Sequence, residues 1–522
     1  MSASLGPCGR SGALRAGAVV ALAAALLAGC APLTGPGAPT PGERLTARID
    51  SIISSPPLDG LHWGILVREH ATGRVLYERA ADRKFIPASN TKLVVTAVAM
   101  GVLGPEWRYT TPLVAVRPPG DSVAAELRVR GSGDPTFSAR FHDEPLAALD
   151  SMAWAVRAAG ITRVTGNVVV EADAFVDPVV LGAWEVGDLP WYYAAPTAAF
   201  AVAEGTFQLI VEPGPAPGYP GRARVLGGSW LDLEAEIVTD TAGASSQRSV
   251  DFTARRDAIH LTGSIAADAG ADTVTLAVTR PAEYAGRALR SALERAGVVV
   301  EGGTRVDDVD SQAAPVPGGM AADTVARLRS APLLDIVTAI LQPSQNWMAE
   351  QLLKTLGAMA DSTGIVNLAA APAGGSWRAG LDVEGRYLTQ VVGVDSLSFS
   401  LRDASGLSAQ NVLSPRTTVT LLDHAHARWG DAWDAALAGP GVAGSTLNRR
   451  LTALEGRVFG KTGTIANVNA LSGYLLTRDG RRLTFSILTN GSGLPASRVR
   501  QALDAIVEAT AREAGMDGSE TP

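Results

Sequence analysis

The chain has 522 residues and a formal charge of −7, with 45 basic side chains against 52 acidic ones. An acidic chain with no long charge run is not built to neutralise phosphates, which argues against a nucleic-acid partner. With 46% hydrophobic and 19% charged residues it is a folded globular protein, long enough for about three domains.

The first 29 residues read as an export signal. Arg10 and Arg15 form a basic start, and the apolar run Ala16–Gly29 is shorter than the roughly 20 residues a spanning helix needs. The run ends in Leu27-Ala28-Gly29-Cys30, which resembles the lipobox of bacterial lipoproteins. That resemblance implies cleavage before Cys30, lipid on its thiol and new amino group, and a membrane anchor facing the periplasm or cell wall. Ala31 carries no aspartate-type retention signal, which favours an outer membrane where the cell has one. Cys8 would leave with the signal, so the mature chain has no thiol pair for a disulfide. Residues 30–44 read as a Pro/Gly tether, and its segment Ala31–Pro41, at about 3.1 Å per extended residue, holds the body roughly 30–35 Å from its anchor.

Residues 45–53 begin the folded body as a short helix. Apolar runs flanking Ala71-Thr72-Gly73-Arg74 predict a hairpin within His62–Ala80. At Pro87-Ala88-Ser89 the pattern changes to a helix that is apolar on most faces, runs over Thr91–Leu103 and stops at Gly104-Pro105. Residues 108–330 alternate short β-rich runs with Gly, Pro and Asp turns, the pattern of one or two inserted modules. Helices return at Leu333–Leu341, Asn346–Met359 and Thr417–Ala427. A strand around Lys461, a hairpin turning at Asp479-Gly480 and a helix over Ser497–Ala514 close the body, and residues 515–522 read as a disordered tail. The opening hairpin and the closing strands predict one antiparallel sheet flanked by helices, an α+β body formed by residues 45–107 plus 331–514.

Lysine is scarce here: only Lys84, Lys92, Lys354 and Lys461 occur, and the other 41 basic residues are arginine. An arginine stays charged, whereas a buried lysine can become a neutral base. Ser89 and Lys92 form S-x-x-K on a helix, so the amine reaches the hydroxyl within one turn. A serine needs such a base to become a nucleophile. Ser344-Gln345-Asn346 (S-x-N) opens a helix, and Lys461-Thr462-Gly463-Thr464 lies on a strand where Gly463 leaves room for another chain. Lys461 also offers a second cation to depress Lys92. Each motif alone is weak, but the three in this order and on these elements are a strong signal.

The trio is similar to that of the penicillin-binding protein and serine β-lactamase superfamily. Within it, Arg130–Phe137, Trp191–Val202 and Asp403–Pro415, with the long insertion between Lys92 and Ser344, resemble the D-alanyl-D-alanine carboxypeptidase/endopeptidase family, the class C low-molecular-mass penicillin-binding proteins of peptidase family S13. The likeness spans residues 45–512, with Ala404 where glycine is usual and Gln345 where aspartate is frequent. It implies a transpeptidase-like α/β domain that hydrolyses D-Ala-D-Ala ends of peptidoglycan stem peptides, with crosslink cleavage as a second activity left open. Ser89 would form the acyl-enzyme and Lys92 would take its proton. Ser344 would relay a proton to the leaving D-alanine, and Asn346 would hold Lys92 and the substrate amide. Lys461 and Thr462 would bind the terminal carboxylate. The backbone N–H groups of Ser89 and Thr464 would stabilise the oxyanion. β-Lactams would acylate Ser89, and no cofactor or metal is required.

Other arrangements fit less well. No G-x-S-x-G is present for a Ser-His-Asp hydrolase. His424 and His426 lie two apart on a helix and are expected to face solvent, as is Lys84. Glu350 and Lys354, at i,i+4, are expected to form an ion pair. Asp403 and Ser405 read as turn residues. A β-lactamase would need a water-activating glutamate or tyrosine motif, neither of which occurs. A non-catalytic wall-binding or sensor lipoprotein would have no need of the intact serine and lysines.

Overall fold

A computed structural model describes residues 40–226, 232–252, 258–308, 319–359 and 374–515. The expected signal peptide, Cys30, most of the tether and residues 516–522 lie outside the described residues. Helix α1, Pro41–Ile53, begins four residues before the expected start and takes in residues 41–44 of the expected tether, because Thr40 and Glu43 form a capping box in which they satisfy each other's backbone N–H groups. Its Leu45, Ile49 and Ile53, four residues apart, form one buried stripe. The stripe packs on an antiparallel five-stranded sheet built from both ends of the body. Its strands are β1 (His62–Glu69), β2 (Val75–Arg79), β3 (Val458–Ile465), β4 (Val468–Leu476) and β5 (Arg482–Asn490), in spatial order β3-β4-β5-β1-β2.

The period of two explains how this sheet is sandwiched. Trp63, Ile65 and Val67 of β1 share a core with α1 and the C-terminal helix Ala496–Glu513, while Leu66 faces the opposite side with Val419. On that opposite side a larger helical core surrounds α2, Lys92–Val102, every residue of which is buried. Helices Leu333–Leu341, α3 (Asn346–Met359) and α4 (Trp377–Tyr387) contribute to the same core. A helix buried all round must be apolar all round, which is why Lys92 stands out on it.

Between these halves the chain leaves through the strand Thr110–Arg117 and returns through Ala321–Arg329, which pair antiparallel. They belong to a five-stranded mixed sheet with Glu126–Arg130, Val168–Glu171 and Thr304–Asp307. Helices Ala147–Ala158 and Pro281–Arg295 pack on it. The β-rich pattern of this segment does not predict those two helices, whose buried faces are largely alanine and leucine. Two three-stranded sheets, one holding Thr206–Glu212 and the other Ala258–Ala266, share a further core. Among the described residues no helix is long and apolar enough to cross a membrane.

Candidate active site

Ser89 sits in a single 3₁₀ turn, Ala88–Thr91, that feeds directly into α2. The helix expected from Thr91 thus begins one residue later, after this turn. Thr91 donates its hydroxyl to the Ala88 carbonyl at 2.9 Å, tightening the turn. Ala88 has φ +47°, a left-handed conformation that costs a non-glycine residue of order 1–3 kcal/mol and persists only under surrounding constraint. The constraint is visible behind it. Gly406, at φ +79°, lies so close that a Cβ there would stand 1.9 Å from the Ala88 carbonyl oxygen. Ala404, the departure from glycine, has no positive φ and is fully buried, so the alanine is accommodated.

One turn along, the Lys92 amine is completely buried. Its Nζ lies 2.8 Å from Ser89 Oγ, 2.7 Å from Asn346 Oδ1 and 2.5 Å from the Ser405 carbonyl oxygen. Asn346 is fixed from the other end, donating its amide to the Tyr193 carbonyl at 2.8 Å. Lys461, equally buried, lies 2.8 Å from Ser344 Oγ and 2.9 Å from the Thr462 carbonyl oxygen. Ser344 has φ +66°, also left-handed, just before α3. Thr462 donates to Thr446 Oγ1 at 2.8 Å, whereas Thr464 is solvent-exposed. Gly463 has the expected spatial reason. A Cβ there would come 2.8 Å from the Pro87 carbonyl oxygen and 3.0 Å from the Asn90 amide nitrogen. Asn90 uses that closeness to donate to the Lys461 carbonyl at 3.2 Å, tying the serine turn to β3.

The electrostatics follow from burial. Loss of water pushes the Lys92 ammonium down to about 7, against the pull of the Asp403 and Glu350 carboxylates. Burial likewise pushes Lys461 well below the usual lysine range, and repulsion from Lys92 adds to it. Of the two causes that the sequence offers, burial is the one that lowers Lys92; the second cation expected to depress it, Lys461, is instead the amine that repulsion pushes down.

Three buried acids stand behind the lysines. Burial and the neighbouring Asp403 push Glu350 up to about 7. Asp403 is raised by burial, and Glu384 is held well above the carboxylate range by burial and by both other acids. Glu350 does not pair with Lys354 as expected. It accepts from the Ser405 N–H at 2.7 Å, the Ala404 N–H at 3.2 Å and Trp377 Nε1 at 2.7 Å. Lys354 instead lies 3.7 Å from the centre of the Trp377 ring and donates to the Pro178 carbonyl. Asp403 accepts from Gly406 N–H, Ser408 N–H, Asn411 and Trp184, so it folds the turn. Through that turn Glu350 and Asp403 hold the Ser405 carbonyl against Lys92.

The histidines are also corrected. His424 is half-buried 3.1 Å from Tyr387 Oη, and His426 is half-buried 3.1 Å from Asp434. Lys84 is exposed as expected. Residues that motif spacing could not reveal come from the insertion. Glu204 accepts from Gln345 Nε2 at 2.6 Å and from Arg140 Nε at 2.8 Å, and Tyr193 acts through its backbone. In the sequence only the family-like segment Trp191–Val202 marks that neighbourhood, and nothing in it points to a carbonyl. Among the described residues no cluster of three or more His, Cys, Asp and Glu could hold a metal.

The model of the D-Ala-D-Ala carboxypeptidase 3 (S13) family matches residues 45–513. A D-alanyl-D-alanine carboxypeptidase of Actinomadura sp. (strain R39) is 35% identical over 98% of this chain and 93% of that protein. A penicillin-sensitive carboxypeptidase A of Dictyostelium discoideum is 24% identical over 86% of this chain and 87% of its own. The crystal structure of penicillin binding protein 4 from Haemophilus influenzae superposes with a TM-score of 0.76 at 19% identity, covering 90% of this chain and 99% of that one, a likeness of fold.

Proposed function

The chain belongs to the D-Ala-D-Ala carboxypeptidase 3 (S13) family, and from that premise we propose that it removes the terminal D-alanine of peptidoglycan stem peptides through an acyl-enzyme on Ser89. It is a serine-type D-Ala-D-Ala carboxypeptidase with a penicillin-binding-protein fold. The observation that carries the Ser89 assignment is the fully buried Lys92 amine 2.8 Å from its hydroxyl. A neutral amine has two N–H donors and one lone pair. The Asn346 and Ser405 oxygens take the two donors, which leaves the lone pair for the Ser89 proton.

In the proposed reaction Ser89 Oγ attacks the carbonyl between the two D-alanines as its proton passes to Lys92. The substrate carboxylate lies against Lys461 and Thr462, and its negative charge favours the protonated form of Lys461. Backbone N–H groups of Ser89 and Thr464 stabilise the oxyanion. Collapse of the tetrahedral intermediate breaks the C–N bond, and the departing amine takes a proton by way of Ser344. Water then releases the acyl group by the reverse sequence. β-Lactams enter the same route and remain as a covalent adduct.

The apolar run Ala16–Gly29 ending in the lipobox-like Leu27-Ala28-Gly29-Cys30 supports export, a lipid on Cys30 and placement at a membrane on the wall side, within reach of that polymer. The test is incubation of the purified chain with a stem pentapeptide and with crosslinked muropeptides, with products resolved by mass. Loss of one D-alanine, absent in Ser89→Ala, supports the proposal. Splitting of dimers adds the endopeptidase activity. No hydrolysis of either refutes it.

A further inference from the structure

A cavity of about 780 Å³ opens on the insertion side of the chain, and none of the three motifs lines it. That volume is within the range of roughly 300–1,000 Å³ that holds small ligands. Trp191, Tyr192 and Tyr284 supply aromatic surface to its walls, and Tyr192 is 54% exposed. Arg140, Glu204 and Arg248 supply charge, and the exposed Glu144 stands at the cavity edge. Each of these arginines already has a carboxylate: Arg140 pairs with Glu204 at 2.8 Å, and Arg248 pairs with Asp272. Cations so neutralised do not make an anion site. They hold donors and acceptors in fixed positions beside ring faces, which suits an uncharged ligand with apolar C–H faces and many hydroxyl groups, such as a sugar.

The cavity is joined to the candidate active site through two connections. Glu204 accepts from Gln345, whose Oε1 in turn caps α3 by accepting from the Met348 N–H at 2.8 Å. Gln345 stands between Ser344 and Asn346, and an aspartate in its place would repel Glu204 instead of donating to it. In addition, Tyr193, next to the cavity residues Trp191 and Tyr192, holds Asn346 through its carbonyl. We infer that this cavity binds the amino-sugar part of the wall polymer while the attached stem peptide reacts at Ser89, which makes Tyr192 a specificity-determining residue. The inference rests on the carboxypeptidase reading.

The test compares two substrates on the full chain: a stem pentapeptide ending in D-Ala-D-Ala, and the same peptide linked to its disaccharide. The expected result is a kcat/KM for D-alanine release at least tenfold higher on the linked substrate, residing mainly in KM. In Tyr192→Ala that ratio falls toward one, whereas general damage to the fold would lower both values and leave the ratio standing. Equal kcat/KM in the wild type overturns the inference, and so does a ratio that survives in Tyr192→Ala. Binding of the peptide-free disaccharide to Ser89→Ala, followed by tryptophan fluorescence, gives a readout independent of turnover. If the wild type hydrolyses neither substrate, the activity reading fails while the sugar titration still decides the cavity. Absence of sugar binding, with peptide hydrolysis intact, overturns the cavity alone.

Discussion

Lowering the pH should silence Ser89 by charging Lys92. With the ammonium pushed down to about 7, the neutral fraction is about one tenth at pH 6 and about nine tenths at pH 8, so acylation should rise roughly tenfold between them and then level off. The assay is the second-order rate of covalent labelling by a fluorescent penicillin in buffers of constant ionic strength from pH 5.5 to 9. An ordinary lysine, near 10.5, would give a rate still climbing tenfold per unit at pH 8–9, and that continued climb, or a flat profile, would refute the reasoning. The same burial has a thermodynamic counterpart. Its folded-state value lies below the unfolded one, so the penalty for burying the charge is fully present below about 7 and disappears as pH rises toward 10.5. The difference corresponds to something on the order of 5 kcal/mol at most. Lys92→Met should therefore be inactive yet melt higher than the wild type at pH 6, with the gain shrinking as pH rises.

Four further outcomes are expected. Lys92→Arg keeps a charge but cannot lose its proton, so labelling should fall by about 10²–10⁴-fold, measured by the same penicillin assay. Gly463→Ala forces a methyl against the Pro87 carbonyl and should cost about 1–3 kcal/mol in denaturant unfolding, with labelling slowed as the Ser89 turn and β3 separate. Glu350→Ala leaves the buried Ala404 and Ser405 N–H groups without their acceptor, at about 1–3 kcal/mol for each. Because it also removes a carboxylate that pulls Lys92 up, it should move the acylation pH limb to lower pH, a change that destabilisation alone would not produce. Lys461→Gln should abolish the preference for a peptide with a free terminal carboxylate over its amide, read as the ratio of the two kcat/KM values.

Local rules carried the sequence reading a long way. The helices Leu333–Leu341 and Asn346–Met359 have the bounds their apolar spacing implied, and the sheet closes from the two ends of the body as the hairpin patterns indicated. The failures share a physical cause. Helix spacing puts Lys354 within reach of Glu350, but two buried N–H groups and an indole take that carboxylate, and the amine lies over the Trp377 face instead. His424 and His426 were read from their own helix, although the groups that cover them, Tyr387 and Asp434, come from other elements. Glu204 and the Tyr193 carbonyl reach the S-x-N segment from about 140–150 residues away, and no periodicity records such a meeting. A sequence shows that a second cation exists but not how completely water is shut out around Lys92, which depends on packing and is what lowers it.

The most direct measurement is the mass of the intact chain after brief exposure to penicillin, followed by peptide mapping of the adduct. The account requires one equivalent, bound at the Ser89 oxygen and absent from Ser89→Ala. An adduct on any other side chain, or a wild-type mass that never changes, would contradict it.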